Sequence, residues 1–251
     1  MSKLYIVATP IGNLKDISIR ALETLKAVNL IAAEDTRHTR RLLDHFEIKQ
    51  KLIAFHDHNE RRQTDLLVGR IKAGESVALV SDAGTPLISD PGFRLVRAAR
   101  AADVVVEAVP GASALTAALS VSGLPTDQFQ FLGFLPAKGR ATRLAEVSQY
   151  SGTIILYEAP HRMVSLLETV LEVLGGDREL VICRELTKLY EQVVQGLAGE
   201  VRDQMIRGEI PARGEFVVLI SGATIVQSVA QIELDDCLRL LIAELPISKA
   251  A

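Results

Sequence analysis

The sequence predicts an α/β protein built as two α/β domains. Three observations predict it. Apolar runs of strand length alternate with amphipathic segments of helix length along most of the 251 residues. That alternation is interrupted once, by Ser122-Gly-Leu-Pro-Thr-Asp-Gln-Phe-Gln-Phe-Leu-Gly-Phe-Leu-Pro136, a stretch rich in Gly, Pro and Phe. Several strand-to-helix turns are made of small residues, the longest running from Ser81 to Gly92. Alternation of this kind argues for mostly parallel sheets with helices on both faces.

Taken in order, Leu4–Ala8 reads as the first strand. A helix follows over Ile17–Val28, with Ala21, Leu22, Leu25 and Val28 on one face and Asp16 as its N-cap. Leu30–Ala33, Leu52–Phe55, Val77–Val80 and Val104–Val109 continue the strand series. Between them Thr36–His45, Glu60–Ala73 and Pro91–Ala102 read as helices, the second closed by Gly74 at its C′ position. A further helix, Ala112–Val121, leads to the Gly/Pro/Phe stretch. Beyond that stretch come strands at Thr153–Tyr157, Leu180–Cys183 and Glu215–Ile220, and helices at Ala141–Gln149, His161–Leu174 and Leu197–Ile206. The expected division is residues 1–121, 122–225, and a helical tail over 226–251 that reads as cut short.

Composition narrows the function. Apolar residues make up 48% and charged residues 24%, the balance of a soluble globular protein. No apolar run approaches the ~18 residues needed to cross a bilayer, and the first ten residues, broken by Pro10, do not form a signal peptide. Cys183 and Cys237 form neither a CxxC pair nor a disulfide framework, which points to a reducing cytoplasm. The net charge of −3 gives no overall field for nucleic acid, so any such contact must come from a local patch.

The familiar phosphate and nucleotide motifs are missing. No two of the seventeen glycines lie two apart, which excludes G-x-G-x-x-G, and none precedes a lysine, which excludes a P-loop. There is no G-x-S-x-G elbow either. What the chain has instead is four turns of one character. Thr9-Pro10-Ile11-Gly12-Asn13, Ser81–Gly92, Pro110-Gly111-Ala112-Ser113-Ala114 and Tyr157-Glu158-Ala159-Pro160-His161-Arg162 each end a strand. A connecting turn needs only about 2–6 residues, so the twelve of Ser81–Gly92 suggest a ligand cradle. Ligands of open α/β sheets bind at such strand ends.

These motifs carry a resemblance. LYIVATPIGNLKDIS (4–18), IAAEDTRHTRRLL (31–43), FHDHNE (55–60), ALVSDAGTPLISDPG (78–92), VPGASA (109–114), SGLPTDQFQFLGFLPAK (122–138), YEAPHR (157–162), CRELTK (183–188) and GEFVVLISG (214–222) span nearly the whole chain. Together they resemble the tetrapyrrole methylase superfamily, and within it the branch that methylates small-subunit ribosomal RNA. The resemblance implies two α/β domains of the tetrapyrrole methylase type with a cofactor cleft between them. It implies S-adenosylmethionine (SAM) as cofactor, a homodimer, and 2′-O-methylation of a cytidine of 16S rRNA, cytidine 1402 in rRNA numbering. It also implies a C-terminal helical module that does not follow Ala251, and Ala159 stands where serine is also common.

On this reading Thr9, Pro10, Ile11, Gly12, Asp82, Gly84, Thr85, Pro86, Ile88, Ser113, Ala114 and Tyr157 form the SAM pocket. Arg37, Arg40, Arg41 and Arg162 are the substrate contacts. The window 37–62 holds seven Lys/Arg, four Asp/Glu and four of the five histidines, so it is +3 inside a chain of −3. Phosphate positioning and a merely solvated helix face both fit it. Lys138, Arg140 and Arg143 form a second short basic stretch. A ribose hydroxyl is a weak acid, so a proton acceptor would help. Asp35, Glu158 and His161 are candidates, with Glu34 and Glu185, and the residues alone do not choose among them. No metal is expected: His56-Asp57-His58 lacks the further ligands of a coordination sphere. Two rival readings stand beside this one, a corrin or porphyrin methylase and a non-catalytic ribosome-assembly factor.

Overall fold

The computed structural model describes residues 2–223 and 236–239, the latter four helical. Of the expected helical tail over 226–251, all else lies outside the described residues.

The first sheet holds β1 (Lys3–Val7), β2 (Leu30–Ala33), β3 (Leu52–Ala54), β4 (Val77–Val80) and β5 (Val105–Val109). Its order is β3-β2-β4-β1-β5 and every pairing is parallel. The central β2 and β4 are buried along their whole length, which is why they read as unbroken apolar runs. Helices α1 (Ile19–Ala27) and α2 (Thr36–His45) cover one face through Ala21, Leu25 and Leu43. Helices α3 (Glu60–Lys72) and α4 (Phe93–Ala101) cover the other through Leu67, Ile71, Leu95 and Ala99. The N-cap of α1 is Ser18, whose hydroxyl accepts the Ala21 amide at 3.1 Å. Asp16, expected there, belongs to a preceding 3₁₀ turn, because Ile17 and Ser18 are extended and delay the helix.

The second sheet holds β6 (Phe129–Phe134), β7 (Thr153–Glu158), β8 (Glu179–Arg184), β9 (Gln192–Leu197) and β10 (Phe216–Ile220). Here the expectation of a mostly parallel sheet fails. Only β6 and β7 are parallel; β10 inserts between β7 and β8 and runs against both, and β8 and β9 form an antiparallel pair. Two of its strands, β6 and β9, were not expected. A bulge interrupts β6 between Phe131 and Gly133, where Gly133 takes φ +62°. In β9 one face is exposed, so only alternate residues are inward. Helices α6 (Arg140–Glu146), α7 (Met163–Leu174) and α8 (Ala198–Ile206) pack on one side of this sheet. Helix α5 (Ala114–Val121), which follows β5, packs on the other through Ala118 and Leu119 against Ile155, Val181, Val217 and Leu219. A helix that leaves the first sheet thus roofs the second, and the strand ends of both sheets face one another beneath it.

Candidate functional site

In the first sheet β1 and β4 are neighbours, yet the chain leaves β1 toward β2 on one side and β4 toward β5 on the other. A reversal of this kind opens a crevice beyond the strand ends. The turns there are stitched together by backbone. Thr9 and Gly84 exchange N–H···O bonds of 2.8 and 3.0 Å, and the Thr85 hydroxyl donates to the Ala112 carbonyl at 3.1 Å. Gly84 takes φ +78°, and Leu87 and Ser89 sit at +74° and +69° although they carry side chains. Such backbone is costly and gathers at binding loops. Glu60 anchors the far end of the loop, accepting the amides of Gly92 and Arg94 at 3.0 and 3.2 Å, so a carboxylate sits at the start of α4. The same loop touches the second half: a Cβ on Gly133 would come 2.9 Å from the Ser89 hydroxyl oxygen.

Between the sheets lies a cleft of about 400 Å³. Its first wall is Ile11, Glu34, Asp82–Thr85, Ile88–Asp90, Ser113 and Ala114. The second is Phe134, Tyr157–Pro160, Cys183, Leu186 and the segment 214–217. Tyr157 is fixed edge-on between Phe131 and Phe134, at ring separations of 4.8 and 5.5 Å.

The floor of the cleft is acidic. Burial, then the nearby Glu34, Asp82 and Asp57 charges, push the Asp90 carboxyl up to about 7, against a hydrogen bond from Ser81. Burial also raises Glu34, partly offset by the Asp82 amide, which donates to its Oε2 at 3.3 Å. Burial pushes the Tyr157 hydroxyl up to about 12, with Asp90 adding to it, and burial does the same to the Cys183 thiol. Such a concentration of half-buried carboxylates suits a ligand that brings positive charge.

Eight of the twelve residues expected to hold the cofactor line this cleft: Ile11, Asp82, Gly84, Thr85, Ile88, Ser113, Ala114 and Tyr157. Thr9, Pro10 and Gly12 line a second cavity of about 310 Å³, which shares Ile11, Asp82, Ala83 and Glu215 with the first. Pro86 lines neither.

The expected proton acceptors are differently placed. Asp35 caps α2 and is held by Arg37, at 2.8 Å, which keeps its carboxyl well below the usual range. Its own amide donates to Asp82 Oδ1 at 3.0 Å. Glu158 lines the cleft, but both its oxygens are engaged: Oε2 by Arg140 at 3.3 Å, Oε1 by Arg162 Nε at 3.2 Å and by the Ala159 amide at 2.8 Å. His161 lines neither cavity, and Glu185 pairs with Lys188 at 2.7 Å. Glu34 alone of the five lines the cleft without a cationic partner among the described residues.

The basic residues sort likewise. Arg37 is taken by Asp35, Arg40 donates to the Gln50 carbonyl at 3.2 Å, and Arg162 also donates to the Leu135 carbonyl. Arg140 is buried, so the stretch from Lys138 to Arg143 is not a continuous cationic face. Of these arginines, Arg41 lines one of the two cavities, the second, beside His38 and Lys188. Asp90, His38 and Lys188 were not among the expected site residues; the one local signal at Asp90 is its place immediately before Pro91-Gly92 in the longest of the four turns.

Among known proteins, the family model described as Tetrapyrrole (Corrin/Porphyrin) Methylases matches residues 3–202. A ribosomal RNA small subunit methyltransferase I from Pseudomonas aeruginosa is 51% identical, covering 99% of this chain and 89% of that protein. One of the same name from Xylella fastidiosa is 50% identical, covering 99% and 92%. Among solved structures, a diphthine synthase superimposes with a TM-score of 0.67 at 16% identity, over 95% of each chain. A uroporphyrin-III-C-methyltransferase from Thermus thermophilus gives 0.61 at 20% identity, over 88% of this chain and 94% of that one.

Proposed function

The chain belongs to the tetrapyrrole methylase family, and from that premise we propose that it transfers a methyl group from SAM to the ribose 2′-oxygen of a small-subunit rRNA cytidine, cytidine 1402 in rRNA numbering. The acceptor class rests on the relatives named ribosomal RNA small subunit methyltransferase I, which match over nearly the full chain. The observation that carries the cofactor assignment is the acidic cleft between the two sheets, roomy enough at about 400 Å³ and floored by Glu34, Asp82 and Asp90. When bound, SAM supplies a methyl group on a positively charged sulfonium.

The residues divide the work. Gly84, Ser113 and Ala114 offer close backbone approach, and Tyr157 with Phe134 walls the opposite side. Asp82 and Asp90 face the positive charge. Glu34, whose proton affinity burial raises, is the carboxylate we assign to take the hydroxyl proton. Glu158 and Asp35, with their oxygens engaged, hold the turns in place, and His161 stays outside the reaction. Alignment of oxygen, carbon and sulfur between two rigid sheets supplies a further share of the acceleration. The halves 1–121 and 122–225 are the proposed domains, one for each sheet. A homodimer in the cytoplasm is part of the proposal; the edge strand β6 leaves Phe129 and Phe134 exposed, as a shared apolar surface requires. Among the described residues no helix is long and apolar enough to cross a membrane.

The direct test is transfer of labelled methyl from SAM to small subunits that lack the modification, followed by digestion to nucleosides. The expected product is 2′-O-methylcytidine. Label on the base, or on a tetrapyrrole in place of RNA, overturns the proposal. Within the cleft, Gly84→Val is expected to abolish SAM binding by calorimetry while the circular dichroism spectrum stays native. Its φ of +78° disfavours any side chain, and a Cβ there would lie 3.3 Å from Ile11. Unchanged affinity in the folded variant removes the cradle assignment.

A further inference from the structure

The second cavity has a chemistry the first lacks. Three side-chain donors open onto it, His38 and Arg41 from α2 and Lys188 from the turn after β8. Pro10, Leu14 and Leu42 give it apolar flanks. At about 310 Å³ it is of the size that takes a small organic group. It meets the cofactor cleft across Ile11, Asp82, Ala83 and Glu215. Arg41 and His38 therefore stand on the side away from the cofactor cleft, while Asp82 and Glu215 lie on the shared wall, Glu215 paired with Lys188.

Two of the three donors are also available, Lys188 being held by Glu185 and Glu215. Among the described residues, neither His38 nor Arg41 makes a side-chain hydrogen bond or ion pair, whereas Arg37 and Arg40 on the same helix are both engaged. His38 and Arg41 are exposed and three residues apart, so they share one helix face. Lys188 is built in deliberately. Its stem lies on Gly12, where a Cβ would fall 2.4 Å from its Cγ, and its ammonium sits 2.7 Å from Glu185 and 3.1 Å from Glu215. Glu185 and Thr187, on either side of Leu186, hold left-handed backbone at φ +52° and +66°. Strain of that kind is retained where the surrounding structure needs a residue in one place.

We infer that this second cavity receives the acceptor nucleotide, with Arg41 and His38 gripping its phosphodiester and Lys188, seated on Gly12, closing the side toward the second half. The inference rests on the proposed RNA methylation and deepens it. Apolar flanks suit a base, cationic donors suit phosphate, and the shared wall brings a ribose hydroxyl next to the cofactor.

The test uses Arg41→Ala, His38→Ala and the double variant in the full chain; both sites are exposed on α2, so the fold is retained. SAM affinity by calorimetry is expected to match the wild type. KM for unmodified small subunits is expected to rise about tenfold for Arg41→Ala, the loss of one charge-assisted bond. The salt dependence of subunit binding should flatten by ~0.7–0.9 in log–log slope for that one contact. Lys188→Gln, monitored with its melting temperature, should raise KM in the same way. Wild-type KM and salt slope in all these variants overturn the inference. A wild-type protein that transfers no methyl to RNA overturns the proposed function itself, so the two failures are distinct.

Discussion

Asp90→Asn is expected to weaken SAM binding by about tenfold or more at pH 8 and to erase most of its pH dependence, a charge-assisted contact being worth roughly 1.5–3 kcal/mol. The ligand carries a sulfonium and an ammonium, and the cleft offers it Asp90 beside Glu34 and Asp82. Burial, then its carboxylate neighbours, disfavour the ionised form of Asp90 and push its carboxyl up to about 7. A bound cation reverses that preference. Wild-type affinity is therefore full above pH 7 and falls as Asp90 takes up a proton below it, the sign expected when binding lowers a carboxyl pKa. Asparagine preserves shape and one acceptor but cannot ionise, so its affinity should be low and nearly flat. Calorimetric titrations across this range decide the matter. Equal affinities for the variant and the wild type at both ends would remove Asp90 from the cofactor site.

Glu158→Ala is expected to cost about 3–5 kcal/mol of stability, the usual penalty for leaving a buried charge without its partner. The Glu158 side chain is 1% exposed and Arg140 7%, so water does not replace the missing carboxylate. For a chain of this size that lowers the melting temperature by roughly 6–20 °C. Glu158→Gln keeps the volume and should fall between the two. The network ties the end of β7 to α6 through Arg140 and to the end of β6 through Arg162 and the Leu135 carbonyl. Loosening it therefore also displaces Tyr157 and Ala159 in the cleft wall. Were Glu158 the proton acceptor, Glu158→Gln would lose kcat at temperatures where it is still fully folded, beyond what its lowered melt explains. Thermal melts beside single-turnover rates tell the roles apart.

The first sheet was legible because its central strands β2 and β4 are covered on both faces. Leu30–Ala33 and Val77–Val80 have no polar position to confuse with a loop. In the second half the same rule hides strands. Phe129–Phe134 is cut by a glycine bulge next to prolines, and Gln192–Leu197 exposes every other residue. Where β10 inserts is set by packing against both β7 and β8, far apart in sequence, and no local pattern encodes that. The site divides the same way. The turns announce themselves through residue type, since Gly84 and Ser113 mark backbone that a ligand can approach. Charge states do not. Asp90 acquires its character only when Glu34 and Asp82 are brought beside it out of water, and Glu158 loses its apparent freedom only when Arg140 folds over it.

The two cysteines of this chain are chemically unequal. Cys183 is wholly buried in the cleft wall, and its thiol is pushed up to about 12, so almost no thiolate exists at neutral pH. Cys237 is exposed. Alkylating reagents attack the thiolate and need access to it. A maleimide dye therefore attaches at Cys237 and spares the cleft, which makes the unaltered chain a single-site fluorescent probe for testing the proposed docking onto a ribosomal subunit.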